Sequence, residues 1–211
     1  MTNVARFDGN LFVGGTLTAA GGIAPDIARS NLAQTPLASI GIPFYAWKVW
    51  NACHTNLSGT AATDDLEVTT GAFGTAPPSI QTGDVKGVSL TSARYARTTV
   101  QLPENYDDGE SVNFRFRAGM LTTIADVSAT LDLEVYELAG DNTVGSDLCT
   151  TAAIDINSTT LANRDFVVTA TGLVAGDWLD IRIGIIADDA GTGTAVIGCV
   201  TQSRLLCDVR G

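Results

Sequence analysis

Three segments of the chain alternate strictly between apolar and polar residues, as strands with one buried face do. They are SVNFRFRAGM, ATLDLEVYEL and DWLDIRIGII. The period of two places the following residues on the inner faces: Val112, Phe114, Phe116 and Ala118, then Ala129, Leu131, Leu133 and Val135, then Leu179, Ile181, Ile183 and Ile185. We predict that each segment is a half-buried β-strand.

Further strand-like segments surround these three and are separated by clusters of turn residues. The strand-like segments include YARTTVQL, RDFVVTAT and TAVIGCVTQSRLLCDV, and the turn clusters include ENYDDGES, LAGDNTVGSD, LVAGDW and ADDAGTGT. At least eight strands joined by such turns, with no helical pattern between them, indicate an all-β protein. We predict an antiparallel β-sandwich of the jelly-roll type over residues 36–211.

The first 35 residues are rich in glycine and only lightly apolar, which sets them apart from the rest. Leu11, Val13, Gly15 and Leu17 alternate with polar or small neighbours, as in a half-buried strand without a local partner. Because a lone strand is marginal in water, we expect residues 1–35 to be an extended arm for attachment or oligomerisation. Its expected apolar anchors are Phe7, Leu11, Phe12, Val13 and Leu17.

The most aromatic stretch of the chain is IPFYAWKVWNACH, near the start of the predicted sandwich. If it is a strand, Tyr45 and Trp47 share one face while Phe44 and Trp50 share the other. Only Lys48 interrupts the stretch, so we predict burial on both faces, in the core or against another subunit. The alternative is an exposed row of rings that stack on sugars.

Composition and charge narrow the range of partners. Hydrophobic residues make up 45% of the 211 residues and charged residues 17%, so a folded core is expected. The 23 acidic residues outnumber the 12 Lys and Arg residues, and the net charge of −11 argues against nucleic acid as a partner. The N-terminus lacks the pattern of a secretory signal. No apolar run has the roughly 18 residues that a membrane helix needs, so we expect no membrane insertion.

The residue types needed for catalysis or for a zinc site are sparse. His54 is the single histidine, and its neighbour Cys53 would point to the opposite strand face. The four cysteines, Cys53, Cys149, Cys199 and Cys207, include no C-x-x-C pair. We therefore predict a protein that is not an enzyme, with buried free thiols and no cofactor or metal.

Three acidic pairs stand out: Asp64 with Asp65, Asp107 with Asp108, and Asp188 with Asp189. Carboxylates on sandwich loops can bind calcium. None of the pairs has the ligand spacing of a dedicated calcium loop, and aspartate commonly caps backbone amides in turns. We assign the pairs to turns.

Several segments resemble tailed-bacteriophage virion proteins: ARFDGNLFVGGTLTA at the start, GTAATDDLEV and GAFGTAPPSIQTGD in the middle, and GDWLDIRI, GTAVIGCV and LLCDVRG at the end. Proteins of this class are small capsid decoration or head-fibre proteins in which a short N-terminal arm precedes a jelly roll. The resemblance covers nearly the whole chain. It implies a structural homotrimer on the virion surface, made in the host cytoplasm and attached by its arm to the major capsid protein or another virion protein. No collagen-like or heptad repeat separates arm and sandwich, so we expect a knob close to the capsid.

Two functions are therefore expected from the sequence. The first is a trimeric capsid decoration or short head-fibre protein, held by residues 1–35 and by Phe44, Tyr45, Trp47 and Trp50. The alternative is a receptor-binding or carbohydrate-binding jelly roll, as on a tail fibre, whose partner is a host-surface glycan. A glycan-binding domain should present exposed rings and carboxylates on one concave surface of the sandwich.

Overall fold

The alternating segments form long strands in a computed structural model that describes residues 37–60, 64–69, 71–75, 77–83, 90–121, 123–138, 140, 143–190 and 194–210. Within these residues the chain forms eleven strands and one short 3-10 helix, Phe44–Ala46. The strands are β1 (Leu37–Gly41), β2 (Lys48–Val49), β3 (Glu67–Thr69), β4 (Ser79–Gln81), β5 (Leu90–Gln101), β6 (Val112–Met120), β7 (Ser128–Glu137), β8 (Ile154–Asp155), β9 (Ala162–Val168), β10 (Trp178–Asp189) and β11 (Gly198–Asp208). This described part contains no helix with the length and hydropathy that a membrane crossing requires.

The strands form two sheets in which every pairing is antiparallel. Sheet A has the order β3-β4-β11-β6-β9, with β1 also paired to β11, and sheet B has the order β2-β5-β10-β7-β8. From β5 onward the long strands switch sheets repeatedly, since β5, β7 and β10 lie in sheet B while β6, β9 and β11 lie in sheet A. This arrangement confirms the predicted all-β sandwich of the jelly-roll type.

The inner faces of three long strands are those that the alternation predicts. Every predicted inward residue of β6, β7 and β10 is buried, while the residues between them are mostly more accessible. Phe116 of β6 lies near the centre of this core, with its ring 6.3 Å from Trp47 and 5.8 Å from Phe166. Burial of a side chain of this size contributes roughly 1.5 to 3 kcal/mol, so such rings are main contributors to stability.

Strand β11 changes its neighbour part-way along its length. On one side it pairs with β6 throughout, apart from a register shift between Val200 and Gln202. On its other side it pairs first with β4, at Cys199 and Val200, and then with β1, from Arg204 to Asp208. The segment 201–203 therefore lies between the two pairings, beside a bulge, and leaves a notch in sheet A.

The thiols are only partly as predicted. Cys199 and Cys207 are buried, whereas Cys149 is half-buried and Cys53 is exposed in a turn; all four are free. Burial raises the pKa of the Cys199 and Cys207 thiols to about 11. The prediction of buried thiols is therefore confirmed for Cys199 and Cys207 and wrong for Cys53, whose surrounding segment forms turns and no strand.

Residues 36–211 form one compact unit of their own. The arm predicted for residues 1–35, with its anchors Phe7, Leu11, Phe12, Val13 and Leu17, lies outside the described residues. Its role stays a prediction.

Candidate functional site

The notch beside β11 opens into a groove of about 1100 Å³. One wall comes from β1 and the segment that follows it, the floor from the middle of β11, and the other wall from β3 and the residues before β4. The main lining side chains are those of Phe44, Tyr45, Trp47, Asn56, Gln202 and Arg204. A concave, largely apolar surface with a few polar groups is the usual form of a ligand site.

The aromatic wall is shaped by the 3-10 helix Phe44–Ala46. Pro43 precedes it with φ of −71°, and its carbonyl accepts a hydrogen bond from the Ala46 N–H at 2.9 Å. The Trp47 N–H then donates to the Phe44 carbonyl at 3.2 Å. Because residues three apart align in this geometry, Phe44 and Trp47 both face the core while Tyr45 turns outward. Tyr45 is 80% exposed, and Trp47 is 1% exposed.

These positions correct the prediction for the aromatic stretch. It is a turn followed by the two-residue strand β2, so Tyr45 and Trp47 do not share a face. Trp47 is buried within its own subunit, which leaves it no surface for contact with a second subunit or a capsid. Phe44 is half-buried against the core beside the groove. An interface role for Phe44 and Tyr45 stays a prediction.

The floor of the groove is held by a short chain of hydrogen bonds. The Trp47 indole N–H donates to Ser203 Oγ at 3.2 Å, and that hydroxyl donates to the Ile42 carbonyl at 2.8 Å. The Ile42 N–H returns a bond to the Ser203 carbonyl at 2.8 Å. All three residues are buried, so these bonds join the turn to β11 and fix the rings relative to the notch.

Polar groups lie along the floor and rim. Gln202 and Arg204 are on the outer face of β11, where an Arg204 Nη2–H donates to Gln202 Oε1 at 2.9 Å. Asn56 lies across the groove, and its Oδ1 accepts a hydrogen bond from Lys48 Nζ. Although the whole chain is acidic, the groove lining contains Arg204 and, among the described residues, no aspartate or glutamate. The carboxylates expected beside the rings of a glycan-binding surface are therefore absent from the described lining of this groove.

Trp50, the fourth predicted aromatic residue, lies elsewhere, against sheet B. Its indole N–H donates to Asp64 Oδ2 at 3.2 Å, and its ring lies 5.5 Å from that of Tyr95. The Arg182 guanidinium lies over both rings, at 5.2 Å from Trp50 and 4.7 Å from Tyr95, and it also pairs with Glu134. The polar and aromatic groups of this cluster are thus partnered with one another, whereas the Tyr45 ring is exposed. A subunit-contact role for Trp50 stays a prediction.

The remaining candidate chemistry does not assemble into a site. His54 and Cys53 are exposed in a turn. Asp107 and Asp108 both bind the Arg210 guanidinium, and the Ala175 N–H lowers the pKa of Asp108 by donating to its carboxylate. Among the described residues, no three His, Cys, Asp or Glu side chains come close enough together to hold a metal ion.

Sequence reasoning missed Asn56, Gln202 and Arg204. The signal was present in VTQSRLL, where four polar residues in succession interrupt the alternation of β11. Such an interruption is typical of a bulge. That this bulge would lie between β1 and β4, beside Tyr45, depends on strand pairings that are distant in sequence.

No family model matches the chain, and no curated protein matches it. Among solved structures, it is similar to the CBM22-1 xylan-binding domain of Paenibacillus barcinonensis Xyn10C, at 11% identity and a TM-score of 0.43, over 82% of this chain and 95% of that one. It is similar to the xylan-binding module CBM15 at 11% identity and a TM-score of 0.45, over 83% of this chain and 100% of that one. It is also similar to CBM28, a carbohydrate-binding module specific for non-crystalline cellulose, at 10% identity and a TM-score of 0.39, over 78% of this chain and 86% of that one.

Proposed function

We propose that residues 37–210 are a carbohydrate-binding domain and that the groove beside β11 is its site. The observation that carries this proposal is the Tyr45 ring, which is 80% exposed at the rim of a groove that also presents the Asn56 and Gln202 amides. A ring held open to water costs hydrophobic free energy, which a bound ligand would recover.

The combination of ring and amides suits a sugar. A pyranose has faces of C–H groups and edges of hydroxyls, so it needs an apolar platform together with hydrogen-bond donors and acceptors. Tyr45 offers the platform, because it is 80% exposed and lines the groove. The amide oxygens of Gln202 and Asn56 already accept from Arg204 and Lys48, so their NH2 groups are the ones that can donate to a sugar hydroxyl.

The groove is ready for a ligand before one binds. The Trp47–Ser203–Ile42 bonds hold the floor, and the 3-10 hydrogen bonds hold the backbone at Tyr45 beside it. Ordering a loop or a side chain on binding weakens affinity by roughly 0.5 to 1.5 kcal/mol for each immobilised group. A prebuilt groove avoids much of that cost.

The groove supports binding and not hydrolysis. Glycoside hydrolysis uses two carboxyl groups roughly 5 to 10 Å apart across the scissile bond. The described lining of this groove offers none. We therefore propose ligand binding as the role of this groove.

Tyr45→Ala tests the proposal. Native affinity electrophoresis through gels that contain xylan, hydroxyethylcellulose, alginate or polygalacturonate would find a retarding glycan, and calorimetry with its oligosaccharide would give the affinity. We expect Tyr45→Ala to weaken binding at least tenfold, about 1.4 kcal/mol, and Tyr45→Phe to retain most of it.

Trp178→Ala is the matched control, because Trp178 is 47% exposed and lies at the start of β10 in sheet B, outside the groove lining. It should bind as the wild type does. A protein that none of the four glycans retards, or a Tyr45→Ala variant with unchanged affinity, would contradict the proposal.

The virion setting is a further part of the proposal, and the resemblance to tailed-phage virion proteins is what supports it. In that setting the sandwich is displayed on the particle, and residues 1–35 attach it as one of three copies. A glycan-binding domain that faces outward would let the virus particle bind a host-surface polysaccharide. Three copies would strengthen that binding through avidity. Light scattering of the full-length chain tests the trimer, which a stable monomer at micromolar concentration would contradict.

A further inference from the structure

Several arginines of the sandwich pair with carboxylates, whereas four form no ion pair among the described residues: Arg94, Arg117, Arg164 and Arg204. Two of these four, Arg117 and Arg204, lie beside the groove. The pairs are Arg97 with Asp180, Arg115 with Asp165, Arg182 with Glu134, and Arg210 with Asp107 and Asp108. Arg204, in the groove, has instead the neutral Gln202 amide as its side-chain partner. Within the described ranges, Arg117 also forms no ion pair. These two guanidiniums keep their positive charge uncompensated.

The sheet register brings these two arginines to the same place. Gln202 pairs with Arg117 across β11 and β6, and Arg204 pairs with Arg115 one step further along the outer face. Residues paired across antiparallel strands share a face, so Arg117, Gln202 and Arg204 all project outward beside the groove. Arg204 lines the groove, and Arg117 lies next to that lining.

The pairing of Arg204 with Arg115 is unfavourable by itself, because like charges directly opposite each other destabilise a sheet. Asp165 relieves only Arg115, through bonds of 2.6 and 2.7 Å to its Nε and Nη2. The same bonds hold the pKa of Asp165 below its usual range, so its negative charge is already engaged by Arg115. Arg204 therefore still lacks a counter-charge.

We propose that the groove binds a glycan bearing carboxylate groups, such as uronic acids, and that Arg204, with Arg117 beside it, binds the carboxylate. This inference rests on the proposed carbohydrate-binding function. A planar guanidinium matches a carboxylate through paired, charge-assisted hydrogen bonds, and the remaining Arg204 N–H groups have no acceptor among the described residues. The absence of acidic side chains from the described lining removes the repulsion that an anionic sugar would meet elsewhere on a chain of net charge −11.

The test compares acidic oligosaccharides with their neutral counterparts. Calorimetry would use oligogalacturonide, alginate oligosaccharide and glucuronoxylan oligosaccharide, each before and after reduction of its carboxyl groups to primary alcohols. We expect at least one acidic form to bind ten to a hundred times more tightly than its reduced form, and added NaCl to reduce that difference.

Arg204→Gln should lower the ratio of acidic-form to reduced-form affinity at least tenfold, because the guanidinium that binds the carboxylate is gone. Arg210→Gln is the control, because it makes the same change of net charge outside the groove. Thermal unfolding of Arg204→Gln checks its fold, and we expect no loss of stability because a repulsive pair is relieved.

The outcomes separate the two proposals. Equal binding of acidic and reduced forms, with loss of both in Tyr45→Ala, would overturn the acidic ligand and leave the carbohydrate-binding function standing. If a sulphated galactan bound as tightly as the best acidic oligosaccharide, the assignment of carboxylate as the recognised group would be overturned. Failure of every oligosaccharide to bind would overturn the proposed function itself.

Discussion

The hydrogen bond between Trp47 and Ser203 can be tested by a double-mutant cycle, because each residue can be replaced while the other stays in place. Ser203→Ala removes the acceptor of the indole N–H and leaves that donor buried without a partner. Trp47→Phe removes the donor, while the Ser203 hydroxyl keeps its bond to the Ile42 carbonyl.

The two single variants should therefore lose stability for different reasons. A buried polar group left without a partner costs about 1 to 3 kcal/mol, so we expect Ser203→Ala to lower the free energy of unfolding by about 2 kcal/mol. Trp47→Phe leaves a smaller ring in a fully packed site, and a loss of about 2 kcal/mol follows from the cavity. In the double variant no donor is orphaned, so the total loss should be about 3 kcal/mol and not about 4.

Urea denaturation followed by far-UV circular dichroism measures all four proteins without relying on the Trp47 fluorescence. We expect a coupling energy of about 1 kcal/mol, with equal dependence on urea concentration across the set. Strictly additive losses would show that the Trp47–Ser203 bond does not hold the floor of the groove.

Three other predictions concern the core, sheet B and the arm. Burial raises the pKa of Tyr106 to about 12, so the folded state favours the neutral phenol. Roughly 2 to 3 kcal/mol of stability that is present below pH 10 should therefore be lost as the pH rises from 10 through 12. In alkaline urea titrations Tyr106→Phe should show a smaller loss over that window, and identical curves would refute the assignment. Gly184→Ala would place a Cβ 2.9 Å from Tyr95 Cε1, so it should lower stability by about 1 to 3 kcal/mol in thermal unfolding, whereas Gly145→Ala, with open space around it, should not. Deletion of residues 1–24 should leave a folded sandwich that no longer binds purified capsids, and the double change Leu11→Asp with Val13→Asp should have the same effect. Normal capsid occupancy by the deleted protein would contradict attachment through the arm.

The long strands were predictable from sequence because each has one face in the core and one in solvent. In β6, for example, Phe114 and Phe116 must both point inward, and Asn113, Arg115 and Arg117 must point outward. A register error of one residue would bury three polar side chains, so the pattern admits a single solution.

The aromatic stretch was not predictable in the same way. Its alternation suggested a strand, but Pro43 starts a 3-10 turn. The period of three in that turn leaves Trp47 buried, as expected, and exposes Tyr45, which was expected to be buried. A single turn has too few residues to show that period. The groove also depends on the change of β11 partners from β4 to β1, and pairing between residues so distant in sequence leaves no local pattern.

The place on the sandwich where the sugar binds decides whether the groove is the carbohydrate site. Two-dimensional NMR of the isotope-labelled protein, titrated with the oligosaccharide that binds most tightly, would report which backbone amides shift. We predict that the largest shifts fall at Tyr45, Asn56, Thr201 and Gln202, all of which line the groove. Shifts concentrated instead around Trp50 and Tyr95, on the outer side of sheet B, would contradict the assignment of the groove as the carbohydrate site.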